Sequence, residues 1–176
     1  MVPGGDFCAI VALVDPLAAD PDAAAQLAQI ASTSTRLIIR SGPIADPSER
    51  SLSWLPNSRQ TFDSFCDDLE REVAGSTTSL VLWPHSGGAI SDAPSLQSFL
   101  RARSREAKHW QFLFDPAALL TPDMHAKAPD HLRRLFDALS AHPAAWAIVH
   151  DPKWLEVEPH LWRDCPLPVI VRSNEV

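Results

Sequence analysis

The chain has 176 residues, 45% of them apolar and 21% charged, a balance that suits one packed domain and leaves little room for two. Its 15 Lys and Arg against 22 Asp and Glu give a formal net charge of -7. Such a chain lacks the clustered cations that a phosphate backbone requires, so nucleic acid is not an expected partner. No apolar run approaches the roughly 18 residues of a membrane span, and Met1 to Asp6 lacks the basic start of a secretory signal. Cys8, Cys66 and Cys165 lie far apart without a CxxC pair, which implies neither a zinc knot nor a disulfide framework. The expectation is a cytoplasmic domain.

Prolines number 16 against 6 glycines, and several follow aspartate: Asp15-Pro16, Asp46-Pro47, Asp115-Pro116 and Asp151-Pro152. Asp accepts orphan N–H groups at a helix start and Pro has none to satisfy, so these pairs mark places where a strand gives way to a loop or helix.

In chain order, Phe7 to Val14 is a continuous apolar run, as expected of a strand buried on both faces. Asp20-Pro21 opens a helix with Ala24, Leu27, Ile30 and Ala31 on one face. Arg36 to Arg40 reads as a second strand, ending at Ser41-Gly42-Pro43, and a long loop follows to residue 56. Asn57 or Ser58 caps a helix whose stripe is Phe62, Phe65, Cys66, Leu69 and Val73, with Gly75 as its stop. Ser79 to Trp83 is the third strand and runs into Pro84-His85-Ser86-Gly87-Gly88. Asp92 and Pro94 begin a helix carrying Leu96, Phe99 and Leu100. His109 to Phe114 is the fourth strand, ending at Asp115. A helix from about Pro129 presents Leu132, Leu135, Phe136 and Leu139. Ala145 to Val149 is the fifth strand, ending at His150-Asp151, and Leu167 to Val171 is the sixth. Trp154 to Trp162 has no clear period.

Strands alternating with helices define an α/β class with a mainly parallel sheet. An open doubly wound sheet and a partial (β/α) barrel both fit, the complete barrel needing about 250 residues. Neither GxGxxG nor GxxxxGK[ST] occurs, which argues against dinucleotide and P-loop chemistry. In both architectures function sits at the carboxyl ends of the strands. That rim collects Asp15, Ser41, Trp83 with His85, Asp115, His150 with Asp151, and Arg172 with Ser173. Two imidazoles and a carboxylate, His85, His150 and Asp115, suit a divalent Zn, Mn or Fe ion that could polarise a carbonyl or activate water. Capping alone would also account for Asp115 and Asp151. Trp83 is placed to wall a ligand pocket, and Lys153 and Arg172 suit an anion such as phosphate. His125, His131, His142 and His160 are expected to face solvent.

Taken together, three segments are familiar. Leu80-Val81-Leu82-Trp83-Pro84-His85-Ser86-Gly87-Gly88 resembles the xylose isomerase-like TIM barrel segment in which a strand ends in Glu-x-His before a glycine-containing loop. Phe112-Leu113-Phe114-Asp115-Pro116 is similar to that family's next strand, which ends in a metal-binding Asp. Ala147-Ile148-Val149-His150-Asp151 is similar to the strand after it, which ends in a metal-binding His. The resemblance spans about Phe7 to Val171, as the last six of eight βα units, and agrees with the sugar phosphate isomerase/epimerase branch. It implies an N-terminally shortened, incomplete TIM barrel forming a single domain over residues 1–176.

By the same resemblance a divalent metal (Zn, Mn or Mg) would sit at His85, Asp115 and His150, with a sugar-like ligand against Trp83, Lys153 and Arg172. The departures are specific. Trp83 stands where the family has a metal-binding Glu, Ala118 where it has a His, and Arg172 near its final Glu, so the implied metal site is degenerate. No glutamate is an obvious base, Glu175 being the one near a strand end. Two functions follow as expectations: a sugar phosphate isomerase/epimerase-like protein with reduced or lost metal-dependent activity, or a non-catalytic small-ligand or interaction module on the same scaffold. The related apurinic-site endonucleases need a His- and Glu-rich trinuclear zinc site and a basic face, which this chain lacks. An incomplete barrel also leaves two sheet edges, so self-association is expected, or coverage of an edge by Trp154 to Trp162.

Overall fold

The computed structural model describes residues 9–12, 22–32, 35–42, 56–104, 110–139, 142, 144–149, 153–165 and 169–171. Six strands alternate with helices: β1 (Ala9–Ala12), β2 (Arg36–Arg40), β3 (Ser79–Trp83), β4 (Trp110–Phe114), β5 (Ala144–Val149) and β6 (Val169–Val171). They form one sheet in the order β1-β2-β3-β4-β5-β6, every pairing parallel. A doubly wound sheet reverses its strand order at a switch point. This one never reverses, so the architecture is that of a partial (β/α) barrel.

The helices arise where the sequence places an apolar stripe. They are α1 (Ala23–Ala31), α2 (Pro56–Glu72), α3 (Ala93–Ser104) and α4 (Ala128–Leu139). On α2, Phe62, Phe65, Cys66 and Leu69 are buried and Val73 follows them. Gly75 then takes φ 86, a left-handed conformation that a Cβ would oppose. At the start of α3, Asp92 Oδ1 accepts the Ser95 N–H at 2.8 Å while Ser95 Oγ accepts the Asp92 N–H at 3.2 Å. This reciprocal cap satisfies donors that the first turn would otherwise orphan.

The two faces of the sheet carry different residues because side chains alternate along each strand. Leu37, Ile39, Leu80, Leu82, Phe112, Phe114, Ala147 and Val149 pack against the helices in the main core. Ile38, Val81, Trp83 and Leu113, with Ile148, form a separate cluster on the opposite face. The alternation puts Arg40 on that face with Ile38. Trp110, by contrast, belongs to the helical side, edge-on to Phe99 at 5.2 Å.

The segment without a clear period folds as two short helices, α5 (Lys153–Glu156) and α6 (Pro159–Arg163). Trp154 and Trp162 are buried, joined by a 2.8 Å hydrogen bond from Trp162 Nε1 to the Trp154 carbonyl. Trp162 also meets Phe136 of α4 edge-on at 5.1 Å. These contacts seat the segment in the helical layer, and among the described residues β1 and β6 each pair on one side only.

Candidate functional site

The carboxyl tips of β2, β3 and β4 converge. Asp115 follows β4 and is fully buried. Its Oδ1 accepts the Ala118 N–H at 3.2 Å, capping the short 3-10 turn Ala117–Leu119, as an Asp-Pro pair predicts. Its Oδ2 accepts the indole Nε1–H of Trp83 at 3.0 Å. The carboxylate therefore both caps a turn and holds the residue that ends the neighbouring strand.

The loop after β3 is fastened on two sides. Ser41, completely buried, donates its backbone N–H to the Trp83 carbonyl at 3.1 Å and its hydroxyl to the Ile90 carbonyl at 2.9 Å. The same hydroxyl accepts the His85 N–H at 3.3 Å. On the other side Ser86 donates to the Ala118 carbonyl at 2.8 Å. Gly42 and Gly88 permit this closeness: a Cβ on Gly42 would lie 2.8 Å from Gly88 Cα, and one on Gly88 would lie 2.8 Å from the Ser41 carbonyl oxygen.

His85 is thus held in place, and its chemistry follows from its setting. Its Nδ1 accepts the Gly87 N–H at 3.3 Å, which assigns the ring proton to Nε2. Nε2 is buried and, among the described residues, has no acceptor in good hydrogen-bonding geometry, with Gly42 alongside. The imidazole is pushed down from 6.5 to about 4, first by burial and then by the Arg40 charge, against smaller opposing effects of the Gly42 backbone and Asp115. At neutral pH the ring is an uncharged donor.

Arg40 completes the rim. Its guanidinium carbon lies 4.8 Å from the Trp83 ring centroid, a cation–π contact, and its Nε is buried without an acceptor among the described residues. The sequence reading passed over Arg40 in favour of Lys153 and Arg172. The signal was present: on a two-sided strand, period-2 alternation sends residues 36, 38 and 40 to one face, and at the carboxyl end that face belongs to Arg40.

The expected site residues divide as follows. Trp83 and Asp115 are in direct contact, and His85 lies within their electrostatic reach. His150 and Arg172 fall outside the described residues, as do Asp15, Asp151 and Ser173. Lys153 is exposed at the start of α5, its Nζ 5.4 Å from the Trp154 ring, and lines a cavity of about 510 Å³ with His125, Trp154 and Glu156. Trp83, His85 and Asp115 do not line that cavity.

Among the described residues no group of three or more His, Cys, Asp or Glu is placed to hold an ion. Of the two expected ligands described, Asp115 faces an indole N–H with one oxygen and a backbone N–H with the other. His85 carries its proton on Nε2, the nitrogen nearer Gly42, and uses Nδ1 as an acceptor. Of the three expected ligands His85 and Asp115 are described, and two donors fall short of the three protein ligands that a catalytic metal site keeps.

No family model matches the chain, and no curated protein matches it in sequence. In structure it matches the apo crystal structure of 3-keto-D-glucoside 4-epimerase, YcjR, from E. coli. The TM-score is 0.58 at 14% identity, over 96% of this chain and 73% of that chain. The likeness is one of fold, and it agrees with the partial (β/α) barrel expected from the alternation of strands and helices. No helix among the described residues is long and apolar enough to cross a membrane.

Proposed function

We propose that this chain is a sugar isomerase/epimerase-like protein that binds a sugar-like small molecule at the carboxyl rim of its sheet without metal-dependent turnover. One observation carries the reading: among the described residues the buried His85 Nε2 has no acceptor in good hydrogen-bonding geometry, the Gly42 backbone acting on the ring only as a secondary effect, and it sits at a strand tip on a loop fastened from both sides. Buried donors in native proteins are nearly always satisfied, and an orphan at a strand tip calls for an explanation. A sugar hydroxyl supplies the missing acceptor, because each hydroxyl both accepts and donates. The fold's likeness to a structure titled as a sugar epimerase supports the ligand class. Trp83 in place of the family's acidic ligand supports the loss of turnover, since an indole N–H donates a hydrogen bond to Asp115 where a carboxylate would share a cation. Localisation in the cytoplasm is part of the same proposal.

The alternative is a working metal-dependent epimerase, favoured by His85 and Asp115 lying at adjacent strand tips and by His150 at the next in sequence. Two measurements separate them. Neutral monosaccharides titrated against the protein by NMR should perturb the Trp83 indole N–H and the His85 ring. Solvent deuterium should not enter the sugar at the carbon beside its carbonyl when Mn²⁺ or Zn²⁺ is added. Metal-dependent exchange that is lost in His85→Ala would establish the epimerase instead, and failure of every sugar to perturb the rim would overturn the proposal.

A further inference from the structure

The helical layer holds another cavity, one that Trp83, His85 and Asp115 do not line. It opens between the start of α3 and α4 with a volume of about 280 Å³, roughly twice the ~150 Å³ apolar cavity that takes up benzene. The buried Leu119 and Leu120 and the half-buried Met124 and Leu135 wall it. Ala93 and Ala138 reach it from the two helices, and their small side chains leave the space open. A 2.8 Å hydrogen bond from the Gln97 side-chain amide to the Ala138 carbonyl ties α3 to α4 at its edge.

Helical spacing decides which groups of α4 face this cavity. His131, Arg134, Leu135 and Ala138 stand at i, i+3, i+4 and i+7, one face of a helix, and all four line it. Arg133, one position away, pairs with Asp130 and Glu158. The Arg134 side chain is exposed and, among the described residues, makes no ion pair or hydrogen bond, nor does that of His131. The acid at the same cavity, Asp92, accepts the Ser95 N–H as the cap of α3. The walls are therefore apolar while the mouth carries an unpaired cation.

We propose that this cavity binds a medium-chain carboxylic acid, its alkyl tail among the leucines and Met124 and its carboxylate at Arg134. Removal of the tail and the apolar walls from water drives the contact. The guanidinium fork matches two carboxylate oxygens, and the His131 ring N–H is a further donor. The site is separate from the sugar-binding rim and does not depend on it.

The chain has two methionines, Met1 and Met124, so NMR of isotope-labelled methionine methyls reads this cavity directly. The full chain is titrated with octanoate, 1-octanol and acetate, and again as Arg134→Gln and Ala138→Leu. Octanoate should shift the Met124 methyl saturably and bind about threefold or more tightly than octanol, as a charge pair at an open mouth gives. Acetate, which has the head without the tail, should leave Met124 unmoved. Arg134→Gln alters an exposed side chain and should erase the preference for octanoate while octanol still binds; Ala138→Leu fills the space and should weaken both. An unmoved Met124 methyl, octanol binding as tightly as octanoate, or a preference that survives Arg134→Gln would overturn the inference. Octanoate that shifts the Trp83 indole N–H instead of Met124 would overturn it equally, by placing the acid at the rim. Sugars are read at Trp83 and His85, so the two proposals fail separately.

Discussion

Acid should weaken the fold through His85 over a definite pH window. The ring titrates near 6.5 in an unfolded chain and at about 4 in the folded protein, because burial and then Arg40 disfavour its charged form. Between those values the unfolded state binds the extra proton, so stability falls as pH falls from about 6.5 and levels off below about 4. At about 1.4 kcal/mol per pH unit the full effect approaches 3 kcal/mol, trimmed by the ring's partial exposure. His85→Gln removes this titration and leaves the other ionisable groups in place. Urea unfolding of both proteins at several pH values between 7 and 4 measures it directly. The stability of the unaltered protein relative to the variant should shrink by about 2–3 kcal/mol across that range. A difference independent of pH, or an NMR titration of the His85 ring near 6.5, would refute the reasoning.

Three further outcomes are expected. Arg103, 10% exposed, joins Glu70 at 2.8 Å and Asp67 at 2.6 Å and donates to the Asp63 carbonyl at 3.0 Å; Arg103→Met leaves the nearly buried Glu70 with the Trp110 indole N–H and should cost about 3 kcal/mol in urea unfolding. A cost below about 0.5 kcal/mol would mean the network behaves as a surface pair. Gly88→Ala drives a Cβ into Ser41, 2.8 Å from its carbonyl oxygen, and should cost about 1–3 kcal/mol while weakening ligand binding; unchanged stability would show that the loop is looser than its hydrogen bonds imply. The one-sided pairing of β1 and β6 among the described residues predicts self-association in sedimentation velocity, and a monomer at all concentrations would contradict it.

Much of the architecture was legible because burial on two faces writes itself as short apolar runs. Arg36–Arg40 and Ser79–Trp83 coincide with β2 and β3, and the Phe62 to Val73 stripe with α2. Choosing between an open sheet and a barrel needed the strand order, which pattern alone does not contain. Trp154 to Trp162 resisted reading because two short helices break at Glu158, with φ 58, before Pro159, too soon for any helical period to build up. At the site, topology brought Trp83, His85 and Asp115 to one rim. The indole-to-carboxylate hydrogen bond depends on side-chain rotamers across two strands, and the low basicity of His85 depends on burial by a folded loop. Neither leaves a trace in residue spacing.

On the proposed function, Trp83 rather than a cation meets one oxygen of the Asp115 carboxylate. Titrating purified protein with Zn²⁺ and following the Trp83 indole N–H and the His85 ring by NMR tests it most directly. Both signals should stay unmoved at one equivalent of metal. Stoichiometric binding that shifts both together, and is abolished by Asp115→Ala, would contradict the account.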